Sequence, residues 1–301
     1  MGSGQTVLTV IIPAHNEALV IEATLRSLFR QRLDGGYRVI VVPNGCTDQT
    51  AELCRAMQAQ AERHGVALEV LEIGPGDKAE ALNRADALAG PGVRVYLDAD
   101  VELGPGALAA IVAALKGGGV ALCAPRIRLA PARSFWTRCY GRVWQELPVV
   151  RHGVIGAGCY AVGQEARGRW TTFPPILADD KFVRLTFPAT ERRVLEDACF
   201  FVQMPEGLPE LLTVRSRWCR GNHQLKALFP DLARRDTDRY RATIASWLRQ
   251  PRLWPYLPMF VLVFALAEIL AWGRRDRAAH IWERAIGARR VMSRAVPLTP
   301  S

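Results

Sequence analysis

No C-x-x-C pair and no His/Cys cluster at zinc spacing occurs among the seven cysteines, at positions 46, 54, 123, 139, 159, 199 and 219. An odd number of scattered thiols excludes a disulfide scaffold and fits a reducing compartment. The opening Met-Gly-Ser-Gly-Gln-Thr lacks a basic stretch followed by an apolar one, so no secretory leader is expected and cytoplasmic residence is the default. Internal repeats and low-complexity tracts are missing too. Neither G-x-G-x-x-G nor G-x-x-x-x-G-K-[ST] follows the first apolar run, which argues against a dinucleotide-binding domain and a P-loop NTPase.

What is there is a folding composition. Of 301 residues, half are hydrophobic and 23% charged, enough for one large domain or two small ones. The net charge of +10 is unevenly spread. Residues 1–200 hold 22 Lys/Arg against 21 Asp/Glu, whereas residues 201–301 hold 17 against 8. A basic C-terminal third can face nucleic acid, anionic lipid or a phosphorylated ligand, and the count does not choose among them.

Strand and helix patterns alternate through the first 125 residues. Strands are predicted over 6–12, 37–42, 66–73, 93–97 and 120–124. Helices are predicted over 18–31, 47–64, 78–88 and 106–115, the first with Ile21, Leu25, Leu28 and Phe29 on one face. Such alternation indicates βαβ units and a mostly parallel sheet. Beyond residue 125 the spacing predicts a strand at 156–162, a helix at 177–187, a strand at 194–202 and a helical stretch at 209–228.

Ligands of such sheets bind at the carboxyl ends of the strands, which is where the polar residues collect. Pro13-Ala14-His15-Asn16-Glu17 follows the first strand, Pro43-Asn44-Gly45-Cys46-Thr47-Asp48 the second, and Asp98-Ala99-Asp100 the fourth. As residues i and i+2 of a strand end, Asp98 and Asp100 point the same way, and two such carboxylates suit Mg²⁺ or Mn²⁺; a solvated acidic loop is the plain alternative. Asp179-Asp180 opens a predicted helix, either as a cap or as a base for a hydroxyl. Arg215, Arg217 and Arg220 with Trp218 offer phosphate donors beside an aromatic face, or simply a solvated basic face. Lys78, at a helix start, is a phosphate ligand or an ordinary surface lysine.

Taken in order, the segments 9–17, 42–48 and 78–83 with Asp98-Ala99-Asp100, Ala178-Asp179-Asp180 and Arg217-Trp218 resemble the family 2 glycosyltransferases, over about residues 6–225. The resemblance implies a GT-A-type, Rossmann-like α/β three-layer sandwich with a mostly parallel sheet, followed by a helical basic C-terminal segment. It divides the chain into a transferase domain at 1–230, with a donor half to about 125 and an acceptor half from 126, and a segment at 231–301. It implies an inverting transferase that uses a nucleotide-diphosphate sugar and a divalent cation, Mg²⁺ or Mn²⁺. Pro13, Ala14, Asn16, Glu17, Asn44 and Asp48 match nucleoside-binding positions, and Lys78 lies near base or phosphates. Asp98 matches the ribose-side acid, with Asp100 holding the metal beside it. Asp180 matches the general base and Asp179 its partner acid, while Arg217 and Trp218, with Arg220 nearby, match the diphosphate and acceptor contacts. Two departures matter. Pro43-Asn44-Gly45-Cys46 replaces the usual Asp-Asp-Gly-Ser, which leaves the base open with uridine favoured. Val214 replaces the Gln of Q-x-x-R-W, which favours transfer of one sugar over polymer synthesis.

Residues 253–272 are apolar and just long enough to span a bilayer, but Pro255, Pro258 and Glu268 interrupt them. Arg249 and Arg252 precede the segment and Arg274, Arg275 and Arg277 follow it. Basic residues on both sides disfavour a span. A helix on the inner leaflet, in peripheral contact through 249–277, and a helix buried on the transferase domain both remain open. Residues 280–295 read as a further amphipathic helix. The acceptor is left open among glycolipid, lipid carrier, polysaccharide precursor and soluble molecule. Two other readings are weighed. A sugar-phosphate nucleotidyltransferase would want a basic, Gly-rich first loop, which 14–17 is not. A silent binding protein of the same fold would be expected to lose Asp100 or Asp180. Nucleic acid is not expected as a partner, for want of a reader motif.

Overall fold

The structure, a computed structural model, describes residues 8–236, 243, 246, 247 and 249–273. The chain runs β1 (Leu8–Ala14), α1 (Ile21–Phe29), β2 (Tyr37–Pro43), α2 (Thr50–Ala56), α3 (Gln58–Arg63), β3 (Val66–Val70) and α4 (Lys78–Leu88). It continues through β4 (Val93–Leu97), β5 (Val101–Leu103), α5 (Ala107–Lys116), β6 (Leu122–Leu129), α6 (Phe135–Trp144) and α7 (Pro148–His152). Then come β7 (Cys159–Val162), α8 (Gln164–Arg167), α9 (Asp179–Thr186), β8 (Arg192–Val202), α10 (Leu208–Leu228), α11 (Pro230–Ala233) and α12 (Leu257–Gly273).

The strands form one eight-stranded sheet in the order β3-β2-β1-β4-β7-β6-β8-β5. Pairing is parallel from β3 through β4 and between β6 and β8, and antiparallel where β7 and β5 join. Every residue of β1 is buried, as a strand covered on both faces requires. Its alternate side chains enter different cores: Val10 and Ile12 join α1 and α5, whereas Ile11 joins α4. That is the three-layer arrangement. The apolar face expected of α1 is buried as read, each of Ile21, Leu25, Leu28 and Phe29 being at most 3% exposed. Burying such a side chain stabilises the fold by about 2 kcal/mol.

Several boundaries differ from the sequence reading. The helix expected over 47–64 begins only at Thr50, because the Asp48 carboxylate accepts the Thr50 N–H. It then breaks at Met57, whose N–H is shared between the Leu53 and Cys54 carbonyls. The strand expected over 120–124 runs from Leu122 to Leu129, and β7 of the second half lies between it and β4. Strands from both sides of residue 125 therefore share one sheet. The helix expected from 177 begins at Asp179 and the strand expected from 156 at Cys159.

A 3₁₀ turn, Pro251–Tyr256, leads into α12. Together Pro251–Gly273 is long and apolar enough to cross a membrane by length and composition. In the fold α12 packs on α10 and α6: Phe260, Val263, Ala267 and Ala271 are buried, and Phe260 stacks on Tyr140 at 4.9 Å. Glu268 faces α10, 3.5 Å from His223 Nε2. Val261, Leu262, Ile269 and Trp272 remain exposed on the opposite side. Arg274, Arg275, Arg277 and the amphipathic helix expected at 280–295 lie outside the described residues.

Candidate active site

The loops after β1 and β2 are laced to each other. Asn16 adopts a left-handed φ of 53°, which Asn tolerates better than most residues. Its Oδ1 accepts from the Thr47 N–H at 2.8 Å. The Asn44 N–H donates to Ala14 at 2.8 Å, the Glu17 N–H to Thr50 Oγ1 at 2.7 Å, and the Ala18 N–H to Asp48 at 3.1 Å. Glu17 and Asn44 are buried. Asn44 donates its Nδ2 hydrogens to the carbonyls of Gly76 and Asp77 at 3.2 and 2.8 Å. The side chains of Asn16, Asn44 and Asp48 thus hold the loops in place. Among the residues matched to the nucleoside, Pro13 lines the cleft described next.

Asp98 and Asp100 do not sit on a strand. β4 ends at Leu97, and Asp98-Ala99-Asp100 turns, with the Val101 N–H donating to the Asp98 carbonyl at 3.2 Å. A turn, and not strand alternation, sets the two carboxylates close together. Lys78 is no ordinary surface lysine. Asp77 caps α4 by accepting the Glu80 N–H at 2.8 Å. From that anchored start Lys78 Nζ reaches Asp98 at 2.9 Å and Asp179 at 3.2 Å.

Asp179 and Asp180 form the first turn of α9 without capping it. Asp179 is 3% exposed, and Asp180 Oδ1 accepts the Lys181 N–H at 2.7 Å. Asp98, Asp179, Asp180, Lys78 and Pro13 line one cleft with Gly156, Gly158, Tyr96 and Tyr160. The two glycines escaped the sequence reading. Gly156 has φ +76°, and a Cβ there would lie 2.4 Å from that of Asp180. Gly158 has φ +96°, accepts the Asp98 N–H through its carbonyl at 2.8 Å, and leaves no room for a Cβ beside Val101. The G-x-G immediately before a short strand was the available signal.

The cleft is short of positive charge. Asp100 is exposed on the turn, outside the lining of the cleft; loss of solvation and then Asp98 push its carboxyl up, with Arg217 and Lys78 pulling the other way. Loss of solvation and then Asp179 raise Asp180 to about 6. Burial raises Asp179 as well, against Lys78. Three carboxylates, Asp98, Asp179 and Asp180, thus line the cleft with the Lys78 ammonium, while Asp100 and Arg217 lie outside its lining. No group of three or more His, Cys, Asp or Glu among the described residues is arranged to hold a metal alone. The set does fit a divalent ion that takes one or two carboxylates and completes its shell from a diphosphate.

Helix α10 divides its basic residues. Arg217 lies close enough to Asp100 to favour its ionised form, and Arg220 follows one turn later in the sequence of the helix. Arg215 turns elsewhere, contrary to the sequence reading. Its guanidinium lies over the rings of Tyr140, Trp218 and Phe264, at 5.8, 5.2 and 5.2 Å. Residues 215 and 217 are about 200° apart on a helix, so both cannot face one site. Trp218 goes with Arg215, its ring 6.2 Å from that of Trp144, and does not line the cleft.

Comparison with known proteins agrees with this architecture. The family model Glycosyl transferase family 2 matches residues 9–153. A mannosyltransferase of Pyrobaculum calidifontis, solved with GDP-Man and Mn²⁺, is similar at 23% identity and a TM-score of 0.56, over 88% of this chain and 79% of that one. TarS 1–349 of S. aureus, solved with UDP, is similar at 13% identity and a TM-score of 0.52, over 91% and 93%. Comparison with curated protein sequences gives no match.

Proposed function

From the premise that this chain is a glycosyltransferase of family 2, its domain matched over residues 9–153, we propose that it moves one sugar from a nucleotide-diphosphate sugar to an acceptor hydroxyl with inversion. The observation that carries the reading is the meeting of Asp98 from the donor half with Asp179 and Asp180 from the acceptor half in one cleft.

In this reading Asp180 takes the proton of the attacking hydroxyl. Its carboxyl is raised to about 6, so at neutral pH it is ionised yet basic enough to accept a proton. A single in-line displacement leaves no covalent sugar on the chain, and inversion follows. Asp98 and Asp100 would hold a Mg²⁺ or Mn²⁺ ion on the diphosphate, where it offsets charge on the leaving group. Arg217 brings a second positive charge to the same side, and Arg220 extends the basic face. Pro13, Ala14, Asn16, Glu17, Asn44 and Asp48 shape the pocket for the nucleoside. Uridine is the first base to test, with guanosine beside it, since similar folds have been captured with UDP and with GDP-Man.

The acceptor belongs to a membrane surface in this reading. The one acidic side chain of α12, Glu268, pairs at the surface with His223 of α10, and Val261, Leu262, Ile269 and Trp272 are exposed, with Trp254 exposed on the turn before the helix. Arg249 and Arg252 precede it and three arginines follow it in sequence. An inner-leaflet surface fits that pattern, and a glycolipid or lipid carrier is then within reach. A panel of UDP- and GDP-sugars with Mn²⁺ tests the core reading: at least one donor should bind and hydrolyse slowly, and Asp100→Ala should abolish cation-dependent binding. Donor binding indifferent to both cation and Asp100 would remove the mechanism.

A further inference from the structure

One cation stands between the two halves of the cleft. Lys78 Nζ lies 2.9 Å from Asp98 Oδ1 and 3.2 Å from Asp179 Oδ2, and the two acids come from the turn after β4 and the first turn of α9. Its backbone is fixed at both ends of the preceding loop. Asn44 Nδ2 holds the Gly76 and Asp77 carbonyls, and Asp77 caps α4. The side chain beyond is four methylenes ending in three freely oriented donors, able to exchange one anionic partner for another.

We propose that Lys78 is a resident counter-ion that ties donor half to acceptor half and makes cation binding conditional on the donor's diphosphate. The inference rests on the transferase reading above and adds a rule of assembly to it. A free divalent cation entering the cleft meets an ammonium already bound to Asp98 and must compete with it for that carboxylate. A cation arriving with a nucleotide diphosphate does not. The phosphates bring their own negative charge, Lys78 gains oxygens to bind while it keeps Asp179, and Asp98 is released to the cation. Cation and donor therefore enter together, and release of the diphosphate lets Lys78 close back onto Asp98. Coupling of this kind is reciprocal: whatever factor the nucleotide adds to cation affinity, the cation adds to nucleotide affinity.

The test is Mn²⁺ binding to the full chain, read by electron paramagnetic resonance of the free ion, alone and with saturating UDP or GDP. Wild type should bind free Mn²⁺ weakly, and about 10-fold or more tightly once the nucleotide is present. In Lys78→Met the affinity for free Mn²⁺ should rise about 10-fold and the gain from nucleotide should shrink by the same factor. Lys78→Arg, which keeps the charge, should keep the coupling. Melting curves supply an independent readout: Lys78→Met should melt lower without Mn²⁺ and recover most of the loss with it. If Lys78→Met folds poorly, Lys78→Gln serves for the same comparison. Equal coupling in wild type and the neutral variants overturns the inference and leaves the transferase reading standing. Absence of Mn²⁺ binding to wild type with either nucleotide overturns both.

Discussion

Gly156 and Asp180 are in contact: a Cβ added at Gly156 would lie 2.4 Å from that of Asp180, 3.2 Å from its Cγ and 3.1 Å from its Oδ2. The loop before β7 is thus the wall against which the proposed base rests, and its φ of +76° disfavours any side chain in its own right. Gly156→Ala must either push Asp180 aside or move the loop. Displacing a reacting group by about 1 Å can cost on the order of 10²-fold in rate. The expected outcome is a kcat lowered by about 10²-fold with nucleotide affinity nearly unchanged, measured by turnover and by calorimetric titration of UDP or GDP. Equal loss of both would place Gly156 in the donor pocket instead.

Asp180 should work against the stability of the fold it serves. Its carboxyl is raised from 3.8 to about 6, so between those values the folded chain holds a proton that the unfolded chain has lost. Stability from this group therefore increases as pH falls through 6 towards 4, and the ionised group destabilises the fold at pH 7 and above. Asp180→Asn should raise the Tm at pH 7.5 by roughly 2–5 °C, and the gain should vanish below pH 4. The same change should lower kcat by about 10²–10⁴-fold and leave donor binding intact. In wild type the acid limb of kcat/KM should fall near pH 6. Thermal melts across pH beside initial rates check both, and a variant less stable than wild type at pH 7.5 would contradict the assignment of strain.

How much of this was legible beforehand follows the range of the interactions involved. The α1 face and the strands β1 to β4 are local periodicities, and they stand close to where the pattern put them. The candidate site residues could be singled out because ligands of parallel sheets gather after strand ends. What escaped depended on distant pairing. β7 has four residues and takes its place between β4 and β6 through partners dozens of residues away. Asp98 and Asp100 were aligned by the alternation of a strand that in fact stops at Leu97. Lys78 reads from sequence as a phosphate ligand or a surface lysine, and no spacing could show that it would reach Asp179 about a hundred residues on.

Arg215 and Arg217 offer a direct contrast, since one helix carries both to different neighbours. Arg215 covers three rings that join α10 to α6 and α12. Arg215→Met should cost about 1–2 kcal/mol of stability through lost cation–π and stem packing, with donor affinity unchanged. Arg217 lowers the Asp100 carboxyl, and Arg217→Met should weaken binding of UDP or GDP about 10-fold or more with little change in Tm. Melting and nucleotide titration of the two variants side by side decide the matter. An Arg215 variant that loses nucleotide binding would return that residue to the cleft.

The outward face of α12 should separate lipid contact from folding. Val261, Leu262 and Ile269 are 53, 44 and 67% exposed, whereas Val263 on the inward face is fully buried. A soluble domain gains nothing from such a bare face, but insertion into a leaflet contributes about 1–2 kcal/mol for each large aliphatic side chain. Val261→Ser with Ile269→Ser should therefore lower co-sedimentation with anionic vesicles by about 10- to 100-fold while the melting curve stays within a degree or two. Val263→Ser should do the reverse, since it places a hydroxyl between α12 and its packing partners. Binding should also weaken in high salt, because the arginines that flank the helix act through screened charge. Vesicle binding indifferent to all three substitutions and to salt would leave α12 as a packing element alone, and the acceptor would then be sought among soluble molecules.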